Sequence, residues 1–273
     1  MKVLIELPTW LGDCVMATPA IENIVNFDND AQITLIGSFV SIEAMKSHSK
    51  VVETVVLSKK YGALYKIAKN LGDFDVFFSF RSSTRSKFLK FCISAKNKYQ
   101  FDKNTYQSRH QVEKYNDFVN DSLNTNFPAG KLTLSTINYQ PSTNKTVGLN
   151  PGASYGSAKR WYPQEFARVA SELSTQYDIV IFGGPSEADI AGDIEKELIK
   201  NGVKNYQNLA GNTTIPELIN NISNLDLFIT GDSGPMHVAA AFQVPTVAIF
   251  GPTKDDETSQ WMNDKSIIVK KNL

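Results

Sequence analysis

The sequence predicts an α/β protein of two domains, each wound around a parallel sheet. Three observations lead there. At 273 residues the chain is long enough for two domains of ordinary size. Short β-rich runs alternate with longer amphipathic stretches, the pattern of βαβ units on parallel sheets. The stretch NFPAGKLTLSTINYQPSTNK, 126–145, is rich in Pro, Ser, Thr and Asn and lacks a helical period. It reads as the connection between two domains, 1–140 and 141–273.

The first group of strand candidates is KVLIEL, QITLIG, VVETVVL and DVFFSF; the second is TVGLNPG, DIVIFGG, LDLFITGDSG and TVAIFGPT. Every run of the second group closes in Gly, Pro, Asp or Ser, residues of tight turns and close backbone approach, so the carboxyl edge of the second domain reads as a ligand site. The first run opens through Pro8 and Gly12 into Asp13, just before a helical pattern resumes. An acid in that place usually caps the helix. At the carboxyl edge of the first parallel strand it can instead face the crevice where open α/β sheets bind ligands. The motif alone leaves both readings open.

Composition excludes several classes. With 28 basic and 28 acidic residues, the chain lacks the field of a protein dedicated to nucleic acid. Cys14 and Cys92 form no CxxC pair and have no cluster of His beside them, against a disulfide framework or a structural zinc site; a reducing cytosol fits. The N-terminal apolar stretch is interrupted too early for a signal peptide, by Glu6, Pro8, Gly12 and Asp13. No apolar run approaches the ~18 residues that a membrane-spanning helix needs.

Two loops of the second half hold phosphate-binding chemistry. In NPGASYGSAKRWYPQEF, 150–166, a strand ends, a loop of glycines and small residues follows, then Lys159, Arg160 and Trp161, and Pro163 opens a helix. Loop amides, a helix N-terminus and a cation make a phosphate site; the alternative is a surface loop with a solvated Lys-Arg pair. In FITGDSGPMHVAAAFQVPTVAIFGPT, 228–253, Asp232, Ser233 and Gly234 precede a small-residue helix read over 237–242. Asp232 either caps that helix or faces the ligand, and His237 either packs on the sheet or donates to a diphosphate. Asp255, Asp256 and Glu257 read as a solvated run, so no metal cage is expected. In the first half, RSSTRSKFLK and SRHQVEKY gather Arg81, Arg85, Lys87, Arg109, His110 and Lys114. His110 and Lys114, four apart, are expected on one helix face, either solvated or clamping an anion.

The opening WLGDCVMATPAI, the NPGASYGSAKRW loop and TGDSGPMHVAAAFQVPTVAIFGPT together resemble the ADP-heptose:lipopolysaccharide heptosyltransferases, inverting glycosyltransferases of GT-B architecture. The resemblance covers almost the whole chain, and the AKRW form is more similar to heptosyltransferase II than to I. It implies two Rossmann-like domains facing each other across a cleft, an acceptor-binding N-terminal one and a nucleotide-sugar-binding C-terminal one. It further implies transfer of heptose from an ADP-sugar donor to the lipid A core, with the second heptose going onto the first.

On that resemblance Asp13 is the general base, on the face toward the second domain, taking the acceptor hydroxyl's proton. A carboxylate near its reference pKa of ~4 can do so while ionised in the cytosol. Lys159, with Arg160, Ser154, Ser233 and Gly234, neutralises the departing ADP in place of a metal, so no cofactor is expected. Asp232 and His237 contact the donor, Glu187 grips the ribose, and adenine rests on Thr213 and Thr214. Arg81, Arg85, Arg109, His110 and Lys114 clamp acceptor carboxylates and phosphates, with Lys59 and Lys60 adding to them.

The implied enzyme is cytoplasmic, peripheral to the inner face of the cytoplasmic membrane of a Gram-negative bacterium, without a transmembrane segment or nucleic acid partner, and is taken as a monomer. GT-B chains close with a helix that crosses back onto the first domain. Here only KDDETSQWMNDKSIIVKKNL follows GPT, so the chain is expected to be C-terminally short. Three rivals remain: heptosyltransferase I acting on Kdo2-lipid A, another GT-B-like nucleotide-sugar enzyme such as an epimerase, and a non-catalytic nucleotide-sugar binder.

Overall fold

A computed structural model describes residues 1–106, 108–136, 144–152 and 159–270. The chain divides into two compact units, Met1–Ser135 and Thr136–Leu273. Much of the stretch read as a linker therefore belongs to the first unit. Asn23 Nδ2 donates to the Pro128 carbonyl at 3.0 Å, the Thr133 amide donates to Thr18 Oγ1 at 3.0 Å, and Leu132 is buried. These side-chain bonds satisfy a backbone that has no ladder of its own.

The first unit runs β1 (Lys2–Glu6), α1 (Leu11–Met16), α2 (Thr18–Phe27), β2 (Gln32–Gly37), α3 (Phe39–Met45), β3 (Val51–Val56), α4 (Tyr61–Asn70), β4 (Asp73–Ser79), α5 (Thr84–Cys92), β5 (Ser94–Gln100) and α6 (Gln111–Leu123). Its strands lie in the order β3-β2-β1-β4-β5, all parallel. β1 is central and almost wholly buried, which is why most of it reads as apolar. On one face of the sheet Leu4, Ile36, Leu64, Phe77 and Leu89 form a core. An aromatic cluster of Phe78, Phe80, Phe101, Tyr115 and Phe118, with ring centroids 5.0–6.1 Å apart, locks α6 onto the sheet.

The second unit runs β6 (Thr146–Asn150), α7 (Pro163–Leu173), β7 (Asp178–Ile181), a 3-10 turn (Pro185–Glu187), α8 (Ala188–Lys200), β8 (Tyr206–Asn208), α9 (Ile215–Ser223), β9 (Leu227–Gly231), α10 (Gly234–Ala241), β10 (Thr246–Phe250), α11 (Asp255–Thr258) and β11 (Ser266–Lys270). The strand order is β11-β10-β9-β6-β7-β8, again parallel throughout. α7 begins with Pro163 at the first helical position, as read from the sequence. α10 begins at Gly234, three residues earlier than expected, because Pro235 also occupies a first-turn position where its missing N–H costs nothing.

In each sheet the winding direction reverses at one place, between β1 and β4 in the first and between β6 and β9 in the second. Open α/β sheets bind ligands outside the carboxyl ends of the strands at such a point.

Candidate active site

Asp13 stands at the first of these switch points. It is the third residue of α1, whose N-cap is Trp10 and whose N-terminus carries no side-chain cap. Asp13 therefore does not occupy the N-cap position itself but sits in the first turn of the helix. Its charge still suits the first turn, where the helix dipole favours an anion. The loop leading to it is tied down by the turn after β2. Ser38 Oγ donates to the Thr9 carbonyl at 2.8 Å, and Ser41 Oγ donates to the Pro8 carbonyl. Asp13 also reaches across to α6. Burial, then the charges of Asp13 and Cys14, push the Tyr115 phenol well above its ordinary pKa, and burial followed by Asp13 does the same to the Cys14 thiol. Both remain neutral neighbours of the carboxylate.

Beside Asp13, at the end of the same strand, the structure adds a residue that the sequence reading passed over. Glu6 is fully buried and accepts from Ser79 Oγ at 2.5 Å and Ser86 Oγ at 2.9 Å, with the Arg81 guanidinium 3.6 Å away. Arg85, from the following turn of α5, donates to the Ser58 carbonyl. Arg81 and Arg85 thus emerge beside the switch point, anchored from below.

Burial raises the Glu6 carboxyl above its ordinary value of 4.5, with the Ser79 bond and Arg81 opposing it. For an acid with a raised folded pKa, its stability contribution is present below the unfolded value and lost as pH rises through the folded one. Glu6→Gln removes that titration. The melting temperature of the variant relative to the parent should therefore climb between pH 4.5 and neutrality. A flat difference would contradict the assignment.

The second basic segment departs from expectation at His110. His110 is the N-cap of α6: its Nδ1 accepts the Val112 amide at 3.2 Å, while Glu113 Oε2 accepts the His110 amide at 3.1 Å, closing a capping box. His110 and Lys114 lie one turn apart, the His110 carbonyl accepting the Lys114 amide at 3.1 Å, and both are buried, which overturns the solvated alternative. Arg109 precedes them and pairs with Asp117. All three follow β5 and so lie at the same sheet edge as Asp13, Arg81 and Arg85.

In the second unit the switch point is lined by Asn150, Thr230, Asp232 and Ser233. Asn150 Nδ2 donates to Ser233 Oγ at 3.0 Å and Thr230 Oγ1 at 3.3 Å, fixing the β6 and β9 turns against each other. Lys159 Nζ lies 2.6 Å from Asp232 Oδ2, with both side chains largely covered. Lys159 is no solvated surface cation, and Asp232 spends its charge on it instead of capping α10, whose N-cap is Ser233. Arg160 is half-buried, and its Nε has no hydrogen-bond partner among the described residues. His237 is buried within α10. Ser154 lies outside the described residues.

Glu187 ends the 3-10 turn after β7, buried, with Oε2 accepting the Gly184 amide at 2.7 Å. Its carboxyl packs against Gly152, where an added Cβ would collide with it. Only glycine fits there. Gly152→Ala should displace Glu187 and weaken ADP binding by about tenfold, the scale of one lost hydrogen bond to a charged group. Calorimetry checks this, and unchanged affinity would remove Glu187 from the nucleotide site. Thr214 caps α9 in a capping box with Glu217, so a structural role accounts for its hydroxyl; Thr213 stands beside it on the same loop. Among the described residues no three His, Cys, Asp or Glu side chains cluster as a metal cage.

Two doubly wound domains, each with its polar cluster at the switch point, define a protein of GT-B type. The chain belongs to glycosyltransferase family 9 (heptosyltransferase), whose model matches residues 65–273. It is 45% identical to a lipooligosaccharide heptosyltransferase 2 of Campylobacter jejuni, over the whole of this chain and 88% of the relative. Among solved structures it resembles a glycosyl transferase of family 9 from Veillonella parvula, with a TM-score of 0.86 at 21% identity over 99% of this chain and 86% of the other. It also resembles the ADP-heptose lipopolysaccharide heptosyltransferase II of Escherichia coli, with a TM-score of 0.83 at 21% identity over 98% and 90%. The protein is a glycosyltransferase.

Proposed function

We infer that the enzyme transfers heptose from an ADP-heptose donor to the inner core of lipopolysaccharide or lipooligosaccharide, adding the second heptose to the first. One observation carries this reading: a carboxylate at the switch point of the first unit, in the first turn of α1, stands at a sheet edge where cations gather. The full-length similarity to a heptosyltransferase 2 supports the choice of sugar and acceptor.

In the reaction Asp13 accepts the proton of the acceptor hydroxyl as its oxygen attacks the anomeric carbon of the heptose. The bond from that carbon to the diphosphate breaks with inversion, and ADP departs with the bonding pair. Lys159 and the amides of Ser233 and Gly234 meet the charge that builds on the leaving group, a preorganised electrostatic role. Asp232 orients Lys159 and holds sugar hydroxyls. Arg81, Arg85, Arg109, His110 and Lys114 receive the acceptor's carboxylates and phosphates, with Glu6 holding Arg81 in place. Glu187 takes the ribose, and adenine rests on the turn of Thr213 and Thr214. The enzyme works in the cytoplasm as a monomer, peripheral to the inner face of the cytoplasmic membrane.

The test follows ADP release from ADP-heptose with either Kdo2-lipid A or its mono-heptosylated form as acceptor. Turnover only with the mono-heptosylated acceptor supports the reading. Turnover only with Kdo2-lipid A points to addition of the first heptose, and none with either leaves a binding protein. With Lys159 in the charge-neutralising role, no divalent ion is required. A chelator should leave the rate unchanged, and a fall restored by added metal would contradict that part of the mechanism.

A further inference from the structure

Helices α4 and α5 form one surface of the first unit. The ring of Tyr61 meets Phe88 edge-on at 5.1 Å, and Leu64, Ala68 and Leu89 lie together beneath. In a chain of balanced charge, residues 57–72 and 80–92 contain eight cations and no acid. Arg81 and Arg85 turn inward toward Glu6 and Ser58. Lys59, Lys60, Lys66, Lys69, Lys87 and Lys90 remain, and among the described residues none of the six forms an ion pair. Elsewhere the helix lysines are laced to acids one turn away, as in Lys196–Asp193 and Lys200–Glu197 of α8.

Large rings stand exposed among these lysines. Phe91 is 85% exposed, and Tyr61 and Tyr65 are each 50% exposed. The Lys69 ammonium lies 5.7 Å over the Tyr65 ring. An ordinary solvated face carries charges of both signs and few rings, whereas lysines without acids around projecting aromatics match the chemistry of an interfacial protein surface.

We propose that the α4–α5 face docks on an anionic lipid bilayer, the lysines meeting headgroup phosphates and Phe91 entering the headgroup layer. A soluble polyanion would satisfy the lysines but give Phe91 nothing. The inference deepens the reading that the acceptor is a membrane lipid and rests on it for its purpose, but docking itself needs neither donor nor acceptor. Failure of one can thus be told from failure of the other.

The experiment is co-sedimentation of the full chain with vesicles of phosphatidylcholine, with and without phosphatidylglycerol and free of lipopolysaccharide, beside a duplex DNA control. The parent should partition into the phosphatidylglycerol vesicles, be released by high salt, and ignore pure phosphatidylcholine. Lys66→Glu/Lys69→Glu/Lys90→Glu should lower partition roughly a hundredfold, at about fivefold or more per charge. Phe91→Ser should lower it severalfold. Both variants replace exposed or edge side chains, and their melting temperatures and ADP affinities should match the parent's. No partition by the parent, parent-level partition by both variants, or tighter binding to DNA than to vesicles would overturn the proposal.

Discussion

Asp13→Asn should cut turnover by about 10²–10⁴ while leaving ADP affinity nearly unchanged, since the amide keeps the size and loses the ability to take a proton. The structure sharpens this expectation. Asp13 is within the first turn of α1 and Trp10 occupies the cap, and asparagine accepts a backbone N–H about as well as aspartate does. The melting temperature should move little, by the small loss of a charge–dipole interaction of about 0.3–1 kcal/mol. Turnover and melting measured on the same preparation decide the matter. Parent-like turnover would return Asp13 to a structural role, and a large loss of stability would show that the carboxylate holds α1 and α6 together.

Lys159→Ala should weaken ADP binding by roughly ten- to a hundredfold, the equivalent of ~1.5–3 kcal/mol for a charge-assisted contact. It should also slow the reaction. A second effect accompanies these, because Asp232 is left with only 8% of its side chain exposed and no counter-charge. The stability cost stays below the ~3–5 kcal/mol of a fully buried broken pair, since the Lys159 side chain is 24% exposed. Adding Asp232→Asn to Lys159→Ala separates the two effects. The double variant should regain melting temperature without regaining ADP affinity. Recovery of both would mean that Lys159 serves only to neutralise Asp232.

The central strands were legible in the sequence because a strand flanked on both sides is mostly apolar, as in VLI of β1 and VAIF of β10. Two of the edge strands were not. β5, with the sequence SAKNKYQ, is largely polar because it pairs on one side only, and its lysines suit an exposed edge. β8 has only three residues, YQN, too few to show any period. β11, at the other edge of its sheet, carries the apolar run IIV and pairs with β10.

At the site, the glycine-rich turns and the lone acid after β1 could be read directly, since turn chemistry is local. What could not be read is pairing across strands. Glu6 appears in sequence as the polar tail of an apolar run; only the β1–β4 register, which sets Glu6 against Ser79, brings it to Ser79, Ser86 and Arg81. An acid at the end of an otherwise fully apolar central strand was the available signal. Asn150 ended its strand in the same way, and its bonds to Thr230 and Ser233 likewise depend on β6 lying beside β9. Four-residue spacing sets His110 one turn before Lys114 but does not reveal that His110 is the cap, a role fixed by the capping box with Glu113.

The most direct test of the account is the identity of the product. The enzyme is incubated with ADP-heptose and mono-heptosylated Kdo2-lipid A, and the product is characterised by mass spectrometry and by the anomeric couplings in its NMR spectrum. The account predicts a gain of one heptose, attached to the existing heptose, with anomeric configuration opposite to the donor's. No gain in mass, or a product that retains the donor's configuration, would contradict it.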